Sequence, residues 1–279
     1  MSKTIGVIGL GIIGSVYARN YAAAGVLIGT WNRTPQPVAP RWRATPEAVA
    51  AAADVVQLVV SDPPAVEAVL RRIAPVLGPG KIVVQSSTID PASSTRFAAL
   101  VAARGARYLE APFTGSKPAA EAKKTVFYLG GDPALIAEVE PLLALTSEHR
   151  IVIGTIEQAS ALKLAMNVNL AVQIQGTCEA LILARRAGIS DDVFFAVFAK
   201  NMGYSPLTKL KEPKLRAGDF SPQFSIKHMH KDLRLAASIG DCKDFPALAT
   251  VREQLAHAER AGYADEDYTA LIRLFAEKG

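Results

Sequence analysis

The first half of the chain alternates short, β-branched apolar runs with amphipathic windows, the pattern that builds a parallel sheet flanked by helices. Predicted strands run from Thr4 to Ile8, Val26 to Trp31, Val55 to Val60, Ile82 to Gln85, Arg107 to Leu109, Thr125 to Leu129 and Arg150 to Ile153. Helical windows between them include Ile13 to Ala24, Pro64 to Ala74, Pro91 to Ala103 and Pro133 to Leu145, punctuated by proline and glycine. After Gly154 the texture changes. From about Glu157 to Ala187 no proline occurs and apolar residues recur at helical spacing, which predicts one long helix leaving the sheet domain. Further windows follow at Asp191 to Phe198, Pro206 to Leu215, Ser225 to Ser238, Pro246 to Ala261 and Asp265 to Ala276, separated by glycines. The expectation is an α/β chain: a doubly wound sheet domain over residues 1–155, a long interdomain helix, and an all-α domain within 156–279.

Composition narrows the partners. Of 279 residues, 50% are hydrophobic and 20% charged, an ordinary globular mix that excludes a disordered or collagen-like chain. The net charge of +5 is scattered, and no run of five Lys or Arg appears, so anionic small ligands are expected rather than nucleic acid. The opening stretch from Met1 to Leu10 is too short and too glycine-broken for a signal peptide or a spanning helix, so neither membrane nor export is expected. Cys178 and Cys242 stand far apart without a CxxC, which suggests neither a disulfide framework nor a zinc knuckle and points to a reducing, cytoplasmic setting. His228 and His230 are two apart on diverging helix faces, and no metal is expected.

Gly9-Leu10-Gly11-Ile12-Ile13-Gly14 sits directly between a predicted strand and a predicted helix. In that setting every glycine has a mechanical reason. Gly9 makes the tight turn, Gly11 lets backbone N–H groups approach a pyrophosphate, and Gly14 allows close helix–strand packing. The second strand ends in Asn32-Arg33-Thr34, without the acidic residue that binds the ribose hydroxyls of NAD. Asn32 would not repel a 2′-phosphate, the Arg33 guanidinium would pair with it, and the Thr34 hydroxyl would donate to it, so NADP(H) is expected over NAD(H). Val60 and Ser61 end the third strand and are expected beside the adenosine part of the cofactor. Asp62 reads equally as a helix cap.

Four more segments, with this glycine loop, carry a resemblance: Ser86-Ser87-Thr88-Ile89-Asp90-Pro91, Glu110-Ala111-Pro112-Phe113-Thr114-Gly115-Ser116, Lys163 to Asn167, and Lys231-Asp232-Leu233. In this order they resemble the β-hydroxyacid dehydrogenase family, the group of 3-hydroxyisobutyrate dehydrogenase, tartronate semialdehyde reductase and the glyoxylate/succinic semialdehyde reductases. The resemblance implies a Rossmann-like first domain, a helical second domain that supports a homodimer or homotetramer, and hydride transfer between a nicotinamide and a short hydroxy acid. It implies that Lys163 is the catalytic lysine, which agrees with the chemistry, because an ammonium stabilises and then protonates the oxygen of a carbonyl being reduced. Asn167, one helical turn on, would hold the substrate through its amide. Thr114 and Gly115 would grip the substrate carboxylate, Thr88 would lie near the nicotinamide ribose, and Lys231 would face the cofactor and substrate cleft. Asp90 and Ser87 read as a helix cap and a turn residue.

Departures from the family pattern set further expectations. Phe113 stands where a smaller aliphatic residue is usual, and is expected to narrow or reshape the pocket; Thr114 replaces serine. Glu157 and Ala159 stand where glycines are common. Glu110-Ala111-Pro112 with Ser116-Lys117 is most similar to the glyoxylate/succinic semialdehyde branch, so an NADPH-dependent reductase of a small carboxylate-bearing aldehyde is expected. Three rivals stay open: an NAD-dependent 3-hydroxyisobutyrate-type dehydrogenase, an imine reductase, disfavoured by Lys163, and a non-catalytic dinucleotide-sensing protein, disfavoured by Lys163, Asn167 and Thr114 together.

Overall fold

Proline after a capping side chain starts most helices of the first half. The computed structural model describes residues 3–240 and 244–276. Thr45, Asp62, Asp90 and Asp132 each precede a proline and accept a backbone N–H one turn into α2 (Pro46–Ala52), α3 (Pro63–Ile73), α4 (Pro91–Ala102) and α6 (Pro133–Leu143). Asp62 and Asp90 are thus both helix caps. The remaining helices of this half are α1 (Gly14–Ala23) and the short α5 (Lys117–Glu121).

Strands β1 (Ile5–Ile8), β2 (Leu27–Trp31), β3 (Val55–Leu58), β4 (Ile82–Gln85) and β5 (Arg107–Glu110) pair in the order β2-β1-β3-β4-β5, all parallel. Strand β7 (Thr125–Gly130) runs antiparallel to β5 and to the two-residue β6 (Phe113–Thr114), and β8 (Ser147–Gly154) pairs parallel with β7. Strand order reverses between β1 and β3, the switch point where doubly wound sheets bind ligands at the carboxyl ends of their strands. Alternate residues feed two cores. Ile5, Val7, Val55, Ile82 and Val84 bury with Tyr17, Tyr21 and Phe127 on one face, while Ile8, Val56, Leu58 and Val83 bury with Val66, Ile73 and Phe97 on the other.

Helix α7 (Ile156–Arg186) is 31 residues long, as the proline-free stretch predicts. The chain divides into two compact units, Met1–Leu164 and Ala165–Gly279. In the second, Ala171, Ile174, Cys178 and Leu181 form a helical stripe on α7 that buries against α8 (Asp191–Phe198), α9 (Pro206–Ala217), α10 (Ile226–Ala236) and α11 (Pro246–Arg260). A buried ion pair locks this unit: Lys211 Nζ lies 2.8 Å from Asp267 Oδ2, and Asp267 also accepts from the backbone N–H groups of Gln223 and Phe224.

Three expectations need correction. Phe113-Thr114, which falls outside every predicted strand and helix, is a strand, because the chain leaving β5 continues along β7. The last helical window does not start at Asp265: Asp267 is held extended by its bonds to Lys211 and Thr269, so a 3-10 turn over Tyr268–Leu271 precedes α12 (Ile272–Ala276). Strand β8 begins at Ser147, three residues earlier than its apolar run, since Glu148 and His149 stand exposed. Cys178 is buried and its thiol is pushed up to about 12 by desolvation; Cys242 lies outside the described residues.

Candidate active site

The glycine turn has the geometry its spacing predicts. Gly9 adopts φ of 102°, and a side chain there would collide with Val59 at the end of β3. A Cβ on Gly14 would stand 1.9 Å from the Gly9 carbonyl oxygen, so α1 can approach β1 only because residue 14 lacks one. Gly11 differs: a Cβ there would meet nothing within 4 Å. Its surroundings are open, as a backbone segment that receives a ligand requires. Ile12 is exposed, while Ile13 packs on the core beneath. Helix α1 has no side-chain cap, whereas α2, α3, α4 and α6 are all capped, and no acidic residue stands in its first turn. An anionic pyrophosphate fits that positive, uncapped helix end.

Asn32 turns out to be a brace. Its Oδ1 accepts the Leu10 N–H at 3.0 Å, and its Nδ2 donates to the Thr34 carbonyl at 2.9 Å. Gln36, which no motif singles out, donates from Nε2 to the Leu10 carbonyl at 3.2 Å. The Leu10 peptide is therefore held from both sides by the segment that follows β2. Arg33 and Thr34 remain exposed at that strand end. No acidic side chain occupies positions 31 to 36.

The ends of β3 and β4 are tied together. The Val60 N–H donates to Ser87 Oγ at 2.8 Å, and the Gln85 side chain brackets the Ser87 peptide, donating to its carbonyl and accepting from its N–H, both at 2.7 Å. Ser61 is exposed and donates to the capping Asp62. Thr88 follows this braced turn, half-buried.

Phe113 is half-buried, its ring packed edge-on against Tyr17 and Phe127 with centroids 5.4 and 5.9 Å away, at the margin of the sheet core. Strand alternation sends the neighbouring Thr114 to the opposite face, where its hydroxyl faces that of Tyr128 on β7. Burial raises the Tyr128 hydroxyl above its usual range. Tyr128 is a polar neighbour that an apolar reading of its strand hid. Gly115 has φ of 131°, and a Cβ there would press on Thr125 Cγ2 at 2.9 Å.

On α7, Lys163 is only 8% exposed and Asn167 only 1%. The two positions on α7 that depart from the family pattern are built into the first unit: Glu157 accepts from Thr95 of α4 at 2.7 Å, and Ala159 packs where Gly130 leaves room. In the second unit Asn167 Nδ2 donates to Asp232 Oδ2 at 2.6 Å, and Lys231 Nζ stands 2.6 Å from Asp232 Oδ1. This Lys231 contact has ion-pair distance without hydrogen-bond alignment. Asp232 was not among the predicted site residues, yet it orients two that were. Among the described residues no cluster of His, Cys, Asp and Glu suits a metal, and no helix is long and apolar enough to cross a membrane.

Comparison with known proteins decides the family. Residues 4–154 match the model of the NAD binding domain of 6-phosphogluconate dehydrogenase, and residues 158–275 that of the NAD-binding region of NADP-dependent 3-hydroxyisobutyrate dehydrogenase. The chain belongs to the β-hydroxyacid dehydrogenase family. Family membership makes it an NAD(P)-dependent oxidoreductase. The chain is 30% identical over 96% of its length to glyoxylate/succinic semialdehyde reductase 2 of Arabidopsis thaliana, of which it covers 78%. The crystal structure of a 3-hydroxyisobutyrate dehydrogenase from Salmonella typhimurium is similar with a TM-score of 0.88 at 28% identity, covering 98% of this chain and 100% of that one. The chain is also 31% identical, over 97% of its length, to the cytokine-like nuclear factor N-PAC of Drosophila melanogaster, of which it spans 47%. The chain thus has relatives named for enzymes and relatives named otherwise.

Proposed function

We propose that this family member is an NADPH-dependent reductase of small aldehyde acids, with glyoxylate and succinic semialdehyde as the representative substrates. A bound nicotinamide supplies the hydride in such a reduction. The observation that carries the reading is Lys163, a lysine kept almost wholly buried on α7 where an unused one would reach solvent. Its ammonium would stabilise the developing alkoxide and deliver the proton. Asn167, held by Asp232, would orient the substrate from the same helix, with Lys231 beside it. Thr114 and Gly115 would bind the carboxylate, and Thr88 would meet the nicotinamide ribose. The absence of acid after β2, with Arg33 and Thr34 exposed there, supports NADP(H) over NAD(H), as does the family model named for an NADP-dependent enzyme. Val60 and Ser61 would line the adenosine side. Exposed Leu183, Val193 and Val197 of the helical unit support a homodimer or homotetramer.

The test is a panel of short aldehyde acids with NADPH and with NADH, run on wild type and on Lys163→Ala. The expected result is consumption of NADPH in preference to NADH. The variant should lose about three orders of magnitude in kcat, within the range known for a general acid, while binding NADPH normally. Near-normal turnover in the variant removes Lys163 from the chemistry. Faster oxidation of 3-hydroxyisobutyrate with NAD would favour the second reading, which the similarity to the Salmonella enzyme supports. Absence of turnover across the panel would favour a non-catalytic dinucleotide-binding role.

A further inference from the structure

Among the described residues, Glu110 is the one carboxylate of the sheet unit whose side chain is completely enclosed at the carboxyl end of the parallel strands, and the chemistry above does not use it. Its Oε2 accepts from Ser94 Oγ of α4 at 2.5 Å and from the Tyr108 hydroxyl at 2.7 Å, and its Oε1 accepts from Gln85 Nε2 at 3.1 Å. From Gln85 the chain of bonds continues. The Gln85 amide clamps both polar groups of the Ser87 peptide, and Ser87 Oγ holds the Val60 N–H. On its remaining side the carboxyl faces Ser160 of α7, whose buried hydroxyl makes no hydrogen bond of full geometry. Ser160 lies three residues before Lys163, and Glu110 stands level with Gly130, against which the first turn of α7 packs. One carboxyl thus touches the strand ends proposed for the cofactor and the helix that carries the proposed proton donor.

We propose that Glu110 is a positioning residue of the dehydrogenase reaction, its carboxylate holding the Ser87-Thr88 turn and the first turns of α7 in register. This rests on the reductase reading above. The groups that face it are Gln85 of β4, Ser94 of α4, Tyr108 of its own strand and Ser160 of α7. Of these only Tyr108 titrates, and burial drives it well above its ordinary range. Desolvation pushes Glu110 itself up to about 7, opposed by the hydrogen bonds from Ser94, Tyr108 and Gln85. Three donors converge on the ionised carboxyl. Protonation below that value turns one acceptor into a donor and breaks the arrangement. The acid limb of the activity profile therefore belongs to Glu110, whereas loss of a protonated lysine would produce an alkaline limb.

The experiment measures kcat for NADPH-dependent reduction, and NADPH affinity by nicotinamide fluorescence, from pH 5 to 9 in wild type, Ser94→Ala and Glu110→Gln. In wild type both quantities should decline together as the pH drops through about 7. Ser94→Ala removes a bond to the charged form, so the inflection should move to higher pH. Glu110→Gln should lack the inflection, and its kcat should fall on the order of tenfold or more through misplacement of the reacting groups. An inflection that stays in place in Ser94→Ala, or persists in a folded Glu110→Gln protein, overturns the proposal. Ser94→Ala alone decides the matter if the glutamine variant does not fold. Should the protein turn over no aldehyde, the reductase reading fails, and the affinity profile by itself still decides the role of Glu110.

Discussion

The two-sided hold on the Leu10 peptide makes a quantitative prediction about cofactor affinity. Gln36→Ala removes the donor that reaches the Leu10 carbonyl across a half-buried 3.2 Å bond. One hydrogen bond of this kind is worth about 1 kcal/mol, or about a fivefold weaker dissociation constant if it serves only to present the Gly11–Gly14 amides. Asn32→Ala costs more, because it strands the N–H of a buried residue and also releases the Thr34 carbonyl: roughly 1–3 kcal/mol, about fivefold to 150-fold in affinity. Asn32→Asp separates bracing from charge. Its carboxylate can still accept the Leu10 N–H, but it places a negative charge beside the proposed 2′-phosphate site, so NADPH should weaken much more than NADH. Fluorescence titration with both dinucleotides measures all three variants, and kcat at saturating cofactor should stay close to wild type in Gln36→Ala. A Gln36→Ala protein that binds both cofactors as tightly as wild type would refute the argument that this clamp shapes the glycine turn.

Two further outcomes follow from steric and electrostatic facts. Gly14→Ala should abolish dinucleotide binding, because its methyl group would overlap the Gly9 carbonyl oxygen, whereas Gly11→Ala should leave the unliganded protein as stable as wild type and weaken only the cofactor; thermal melting with and without NADPH distinguishes the two. Lys211→Met removes the cation from the buried Asp267 and should destabilise the helical unit by about 3 kcal/mol, read by urea denaturation, and a loss below about 1 kcal/mol would show that the remaining donors to Asp267 suffice.

The linear order of elements, the glycine turn and the proline-headed helices were legible in the amino-acid sequence because each is a local property. Period-two alternation, a capping side chain before proline and a glycine with no room for a Cβ act within a few residues of themselves. Motif order likewise carried the family and the candidates Lys163, Asn167 and Thr114. What tertiary structure decided was the use of side chains whose partners lie far along the chain. The ring of Phe113 finds its partners in Tyr17, nearly a hundred residues earlier in the chain, and in Phe127 across the strand pair. The Asn32 amide finds its partner in the Leu10 peptide, and Asp267 reads as part of a helix until Lys211 holds it extended. Gln36 and Tyr128 have no signature in the sequence that marks their use, and Asp232, though part of a motif, shows its partners only in the fold. A buried polar group must find a partner wherever the fold brings one, and no rule of spacing encodes that choice.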